Sequence, residues 1–333
     1  MKNRKNSKML YLLILLMFTT IMLSTTTYAW FTSNRVVTIN SINVHVAASG
    51  GIEISADGSN WKSVIFPEDL ITVHDTTYPT SVNQIPGIME PVSTGKEIDP
   101  SNGFLKMYYG TTDNNETGDY ILTSTRSIEE EGNGKTSNGK FIAFDLFFKV
   151  NKDTPIYMTN NSKVTYTDED GKGIASATRI AFLDEGTKET GTDLATIQGL
   201  KEATSDKTYI WEPNYDVHTR AAVSNAYDVY GITTSETNAP RIIYDGVINE
   251  IGKENNILIK NAKSSLYPNY FKTVNVDYYT QKDFTDYQSV FTLKPGITKI
   301  RIYMWIEGQD VDCENNASYD DIQFDLQFTV NPA

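Results

Sequence analysis

Apolar and polar residues alternate most cleanly in three stretches of the chain. From Ile322 to Val330 the series Ile322, Phe324, Leu326, Phe328, Val330 is interleaved with Gln323, Asp325, Gln327 and Thr329. A period of two predicts an antiparallel strand with one buried and one wetted face. Ile300, Ile302, Met304 and Ile306 repeat the pattern against Lys299, Arg301, Tyr303 and Trp305, so the same reading applies there. Ile142, Phe144, Leu146, Phe148 and Val150 make a third strand, and Phe141 and Phe147 add apolar weight to its second face. That strand is predicted to be central and buried on both sides.

Weaker patterns fill in around these. Ile42, Val44 and Val46 lead through Ala48-Ser49-Gly50-Gly51 into Ile52, Ile54 and Ala56, which the turn chemistry predicts to be a hairpin. Val37 and Ile39 have the opposite parity to Ile42, as a bulge near Asn40 or Ser41 would produce. Further strands are predicted over residues 163–167, 174–183, 208–211, 241–244, 256–259 and 289–293, and short helices within residues 192–203 and 218–230. The polar stretches between are rich in Gly, Asn, Asp, Ser and Thr. The longest, residues 67–139, carries Pro79, Pro86, Pro91 and Pro100 and the run Glu129-Glu130-Glu131, and reads as excursions from a sandwich and not as a second core. No internal repeat is present. Strands from both ends and the middle share one pattern, which predicts an all-β fold. The expected form is a single antiparallel β-sandwich over residues 30–333, jelly-roll-like, with long loop insertions and few short helices. Two tandem sandwiches divided near residues 184–207 are the alternative.

The N-terminal region has a different character. Lys2, Arg4, Lys5 and Lys8 precede an apolar run from Met9 to Leu23, and Thr27-Tyr28-Ala29 supplies small residues at the third and first positions before a cut. A basic head, an apolar middle and such a junction form a secretory signal, so residues 1–29 are expected to be a leader cleaved after Ala29. Retention of the same segment as a membrane anchor is the alternative, and either way the remainder is placed outside the cell. The chain has 29 Lys+Arg and 42 Asp+Glu; four of the former and none of the latter lie in the first 29 residues, so the exported part holds 25 against 42, a formal −17. A nucleic-acid partner, which requires a basic footprint, is excluded on that balance. The single cysteine, Cys313, rules out an internal disulfide, and the exported fold must be held by its own core.

Candidate chemistry is sparse. The three histidines, His45, His74 and His218, include no pair at helical i, i+4 spacing, and no GxSxG elbow or phosphate loop occurs. Asp310, Asp312 and Glu314 place side-chain oxygens at alternate positions, a weak Ca²⁺ candidate against the simpler reading of a solvated hairpin. Residues 113–119 begin like a calcium loop but have Ser124 where the bidentate glutamate belongs. Ser55 to Trp61 reads as an Asp-Gly turn. Trp61, Trp211, Tyr278 and Tyr279 are candidates for stacking on sugars, with ordinary sheet packing as the competing explanation. No catalytic residue is assigned, no cofactor beyond possible Ca²⁺ is expected, and a hydrolase is left open only if carboxylates distant in sequence converge.

Thr27-Tyr28-Ala29-Trp30-Phe31-Thr32, followed by polar residues and the apolar stretch from Val36 to Val46, resembles the N-termini of the TasA/camelysin group of Gram-positive surface and biofilm-matrix proteins. Residues 210–214 and 305–313 are similar to stretches of secreted Firmicutes proteins with this leader. The resemblance covers about the first 45 residues and implies a jelly-roll fold and assembly into fibres through an N-terminal strand. The HExxH motif of metallopeptidases is absent, so that activity is not carried over. An extended apolar terminus can complete a neighbour's open sheet edge, which makes Trp30, Phe31, Val37 and Ile39 the candidate assembly residues. The expected function is a non-enzymatic, extracellular structural protein of the cell surface that associates with itself or related subunits and touches the membrane only through its N-terminal segment. A membrane-anchored binding module for carbohydrate or a host protein is the alternative.

Overall fold

A strand apolar on both faces needs cover on each side, and the computed structural model of the chain supplies it with layered sheets. The structure describes residues 37–38, 41–43, 52–129, 139–166, 172–230, 232–237, 241–255, 257–258, 265–279, 289–313 and 322–330. In chain order the first strands are β1 (Val37–Thr38), β2 (Ser41–Asn43), β3 (Glu53–Ser55), β4 (Ile88–Met89), β5 (Met107–Asn114), β6 (Tyr120–Ser127), β7 (Ile142–Val150), β8 (Thr154–Met158) and β9 (Lys163–Tyr166). Then come β10 (Thr178–Lys188), β11 (Thr208–Trp211), β12 (Tyr244–Val247), β13 (Ile257–Leu258), β14 (Phe271–Val274), β15 (Phe291–Leu293), β16 (Gly296–Ile306), β17 (Ile322–Asp325) and β18 (Phe328–Thr329). The helices are short: α1 (Pro67–Thr72), α2 (Lys172–Ser176), α3 (Leu194–Gln198) and α4 (Arg220–Tyr230). The fold is an all-β antiparallel sandwich with long insertions.

The first layer is a five-stranded sheet in the order β11-β10-β16-β7-β3, antiparallel throughout. The second is built on a ribbon in which β8 and β9 run antiparallel to β18 and β17. That ribbon is interrupted at residues 159–162, where the Thr159 amide donates to the Gln327 carbonyl at 2.8 Å and the Gln327 amide to Ser162 Oγ at 2.9 Å. β15 flanks β8 on one side, and β2 lies parallel to β17 on the other. Between the layers, Phe148 of β7 and Phe182 of β10 each meet Phe291 of β15 and Phe328 of β18, with ring centroids 5.6 to 6.3 Å apart. Edge-to-face and tilted arrangements of this kind add to the simple removal of apolar area from water.

The outer face of the first layer is covered as well. Residues 84–93 cross it, bridging Gln84 to Ala143 and Val92 to Glu307, and the sheets β13-β6-β5 and β12-β14 close over it. Phe141, Ala143, Ala181, Leu183, Tyr303 and Trp305 form a second apolar cluster there with Val92, Leu105, Met107 and Tyr244. Two glycines set how closely that cover packs. A Cβ on Gly246 would lie 2.0 Å from the Thr94 carbonyl oxygen, and one on Gly95 2.1 Å from the Ile248 side chain. The two chain passages touch backbone to backbone, with the Gly95 amide donating to Val247 at 3.0 Å.

Helix ends follow local chemistry. Pro67 opens α1 and the Asp69 carboxylate accepts from the Phe66 amide at 3.1 Å. Asp193 caps α3 through the Thr196 amide at 2.9 Å, and Thr219 Oγ1 accepts from the Ala222 amide ahead of α4 at 3.0 Å.

Four expectations are corrected. β16 is buried along its whole length, so Lys299, Arg301, Tyr303 and Trp305 face the covered side and not water. The hairpin expected from Ile42 to Ala56 is replaced by two strands in different layers: β2 pairs with β17, while β3 pairs with β7 and sets Ile54 opposite Phe148. The parity change after Val37 is accordingly a change of partner, from β4 to β17, and not a bulge in one ladder. Residues 67–139, read as excursions, contain the eight-residue hairpin strands β5 and β6, whose Tyr108 and Leu122 join Val247, Ile251, Ile257 and Phe271 in a further apolar cluster. The central, doubly buried position of β7 matches its pattern, and α3 and α4 fall inside the two stretches expected to be helical.

Because Phe148 is fully buried and bridges both layers, Phe148→Ala is expected to cost about 3–5 kcal/mol, the range for a large core truncation. The measurement is the shift in urea unfolding midpoint at unchanged slope.

Candidate functional site

Covering a strand that carries Asp, Lys and Arg forces those groups to find one another, and they do so in two buried clusters on the outer face of the first layer. Register brings the first together. Asp145 of β7 lies opposite Arg301 of β16, and Arg301 opposite Leu183 of β10. Arg301 Nη1 donates to Asp145 at 2.8 Å, Nη2 to the Val82 carbonyl at 2.9 Å and reaches Glu129 at 3.4 Å, Nε donates to the Tyr303 hydroxyl at 3.1 Å, and the guanidinium stacks 3.9 Å from the Phe104 ring centre. The Tyr303 hydroxyl bonds Glu129. Lys299 reaches Asp145 at 3.2 Å, and the Tyr78 hydroxyl donates to the same carboxylate at 2.8 Å. Burial opposes the ionised form of Asp145, but Lys299 and Arg301 outweigh it and hold the carboxyl below its ordinary 3.8.

The second cluster is more acidic. Arg179 of β10 pairs with Glu212 at 2.8 Å and with Asp310, and donates to the carbonyls of Ser176 and Thr178. Glu307 accepts from Trp305 Nε1 and from the Gln309 amide, both at 2.9 Å. His218 Nδ1 bonds Asp312, whose other oxygen accepts the Thr219 amide at 3.0 Å and so ties the start of α4 to the turn after β16. Burial raises Glu307 from 4.5 to about 7, although Trp305, Ser93 and Gln309 oppose it. Burial also raises Glu212, against the pull of Arg179. Glu212 Oε2, His218 Nε2 and both polar atoms of the Gln309 side chain have no hydrogen-bond partner among the described residues.

The structure brings some of the residues singled out from sequence into this setting and not others. Asp310 and Asp312 are buried and engaged with Arg179 and His218, which replaces the solvated hairpin expected there; Glu314 lies outside the described residues. Among the described residues no group of three or more His, Cys, Asp or Glu is placed to hold a metal ion. Val37 is in β1 opposite Met89. Ala29, Trp30, Phe31 and Ile39 lie outside the described residues. Trp211 and Tyr278 are buried, Trp211 Nε1 donating to the Tyr279 carbonyl at 2.7 Å, so neither is a surface platform for sugars. Asp113 pairs with Lys253 and Asp57 closes a turn, accepting from the Ser59 and Asn60 amides at 2.8 and 2.7 Å with Gly58 at φ 78°. A cleft of about 310 Å³ beside that turn is lined by Asp57, Asn60, Lys62, Asp69, Thr76 and Thr77, whose polar side chains already bond one another or nearby backbone. Among the described residues no helix is long and apolar enough to cross a membrane.

The remaining feature is an edge. β2 supplies Ser41, Ile42 and Asn43 opposite Gln323, Phe324 and Asp325 of β17, a parallel ladder in a layer whose other pairings are antiparallel. Parallel neighbours cannot be joined by a tight turn, and this one is contributed from the far end of the sequence. No family model, curated protein or solved structure matches the chain.

Two outcomes are expected. Arg301→Met leaves Asp145 and Glu129 without their guanidinium and is expected to cost about 3–5 kcal/mol, read from chemical denaturation, because an uncompensated buried charge is dearer than the pair is favourable. A carboxyl raised in the folded state binds protons more readily folded than unfolded, so Glu307 adds stability as pH falls from about 7 towards 4.5 and loses it as pH rises. Asp145, lowered, adds stability above 3.8 that is lost below it. Thermal unfolding is therefore expected to show greatest stability at mildly acid pH, with a midpoint higher at about pH 5.5 than at about pH 8.5.

Proposed function

We propose that the chain is a non-enzymatic, secreted structural subunit of a bacterial cell surface, assembling into fibres or matrix by donating its N-terminal strand to a neighbouring copy. The observation that carries the reading is the parallel ladder of β2 on β17. Three residues near the N-terminus complete the edge of a layer made by residues 154–166 and 322–329. The same segment of a second molecule makes the same backbone hydrogen bonds in the same register.

The connection permits the exchange. Residues 44–51 separate β2 from the start of the sandwich body in the sequence and include Ala47-Ala48-Ser49-Gly50-Gly51, small residues of the kind used in linkers. Fully extended they span roughly 25–30 Å, enough to reach an adjacent subunit. The net negative charge of the chain resists unspecific collapse, so association falls to a directed contact. The leader-like N-terminus and its resemblance to matrix-forming surface proteins support export, and Trp30 and Phe31 precede the donated strand in the sequence.

The mature protein with Trp30→Ser and Phe31→Ser is expected to keep the circular dichroism and unfolding midpoint of the wild type. It should also raise the concentration needed for fibres at least about tenfold, a loss of about 1.4 kcal/mol per contact. Electron microscopy and sedimentation across a concentration series give the readout. Fibres that form as readily as those of the wild type sink the proposal.

A further inference from the structure

Lys299 and Asp145 form a pair unlike the other lysine pairs. Among the described residues, every other lysine that pairs with an acid has 21% or more of its side chain exposed, whereas Lys299 is 6% and Asp145 2% exposed. Register brings the two together: Asp145 of β7 lies opposite Arg301 of β16, and Lys299 is two residues along on the same face. Lys299 Nζ stands 3.2 Å from Asp145 Oδ2, a separation at which positioned groups react.

Each oxygen of that carboxyl has a donor suited to a different task. Arg301 Nη1 donates to Oδ1 at 2.8 Å, where negative charge collects when a nucleophile adds to Cγ. The Tyr78 hydroxyl donates to Oδ2, also at 2.8 Å, and Oδ2 is the oxygen that faces the amine. Lys299 is aimed by two further bonds, to the carbonyls of Gln198 and Leu200, both at 3.1 Å. On the other side of Lys299, the bulge of β10 carries Glu185, fully buried with Oε1 unpartnered among the described residues. Burial raises that carboxyl to about 8, so at neutral pH it is an acid able to give one proton and take another.

We propose that Lys299 and Asp145 condense into an intramolecular amide that staples β16 to β7. One proton first passes from Nζ to Oδ2 across the contact between them, which turns the resting ion pair into an amine and a carboxylic acid without exchange with solvent. Lys299 and Arg301 hold Asp145 ionised in the resting pair, so the neutral form is the minor one and the reaction is slow. The Nζ lone pair then adds to Cγ, and charge gathers on Oδ1 against Arg301. A proton goes from Nζ to Oδ2 through Glu185, the Cγ–Oδ2 bond breaks, and that oxygen leaves as water. No oxidant or outside reagent takes part, and fixed proximity replaces the high concentrations that the same condensation needs between free molecules. The charge left behind balances, because Arg301 keeps Glu129 at 3.4 Å. Two buried charges give way to a neutral amide that still accepts from Arg301 and donates to one of the two carbonyls. Such a bond suits a chain whose single cysteine denies it a disulfide, since it closes the loop from residue 145 to residue 299 in the unfolded state. The acid-side loss of stability tied to Asp145 above is that of the chain before the bond forms. The amide forms whether or not the chain assembles.

The test is intact-mass spectrometry of the purified mature chain, aged at neutral pH until its mass is constant, beside Lys299→Arg, whose guanidinium keeps the charge and does not condense. The wild type is expected to be one water lighter than its sequence. Trypsin should no longer cut after Lys299, and tandem spectra should show a branched peptide joining the segments around Asp145 and Lys299. Lys299→Arg is expected at its full sequence mass, and Glu185→Gln is expected to gather the lighter form at least about tenfold more slowly. A wild-type mass equal to that of the sequence overturns the proposal, as does a water lost at an Asp-Gly step such as Asp57-Gly58 or Asp245-Gly246. Reaction of Glu185→Gln at the wild-type rate overturns the part given to Glu185. Should a variant not fold, the wild-type mass and the branched peptide decide alone.

Discussion

A sheet whose central strands are covered on both faces has no wet side on which to leave a charge, and the pairing of Arg301 with Asp145 answers that constraint. Asp145 takes Arg301 and Lys299 from the neighbouring strand, and Arg301 spends its remaining donors on Val82, Tyr303 and Glu129. Val82 and Glu129 belong to segments outside the sheet, whereas Tyr303 is on β16 itself. The guanidinium thus sets where the covering passages lie as well as neutralising an acid, and the hydroxyls of Tyr78 and Tyr303 fill the acceptor positions that remain. Buried ion pairs add little net stability over apolar residues of the same size, but they penalise wrong arrangements heavily.

The other face follows the opposite logic. Between the two layers, four phenylalanines from β7, β10, β15 and β18 meet edge to face or tilted. The apolar side supplies most of the area removed from water, while the polar side fixes which passages lie where. The parallel strand β2 belongs to neither system. It completes an edge through backbone hydrogen bonds of a kind that another copy of the chain offers equally well, which is why the edge and not the interior carries the functional reading.

Much of this was legible in the sequence. The alternation in β7, β16 and the β17–β18 stretch named the strands correctly, because period-two burial leaves a direct trace. Lys299 and Arg301 were misplaced because charge on alternate positions reads as solvent exposure when the covering segments are distant in sequence. The signal that would have corrected this is Asp145, a lone acid in the run from Phe141 to Val150, which demands buried cations on an adjacent strand. The partners of β2 and β3 were not legible, since nothing in a short apolar run says which of two layers receives it. The cluster around Arg179 was half visible: Asp310 and Asp312 stood out as acids, but Glu212 and His218 enter from a strand end and a helix entry that only the fold brings near.

The contact of Gly95 and Gly246 has its own corollary. Where those two passages of the cover meet, their separation is fixed by hydrogen atoms standing where every other residue has a carbon. A methyl group at Gly246 runs into the Thr94 main chain, and one at Gly95 runs into the Ile248 side chain. Descendants of this gene can drift widely in their loops and still seat these two passages against each other, provided that this one pair of positions stays bare.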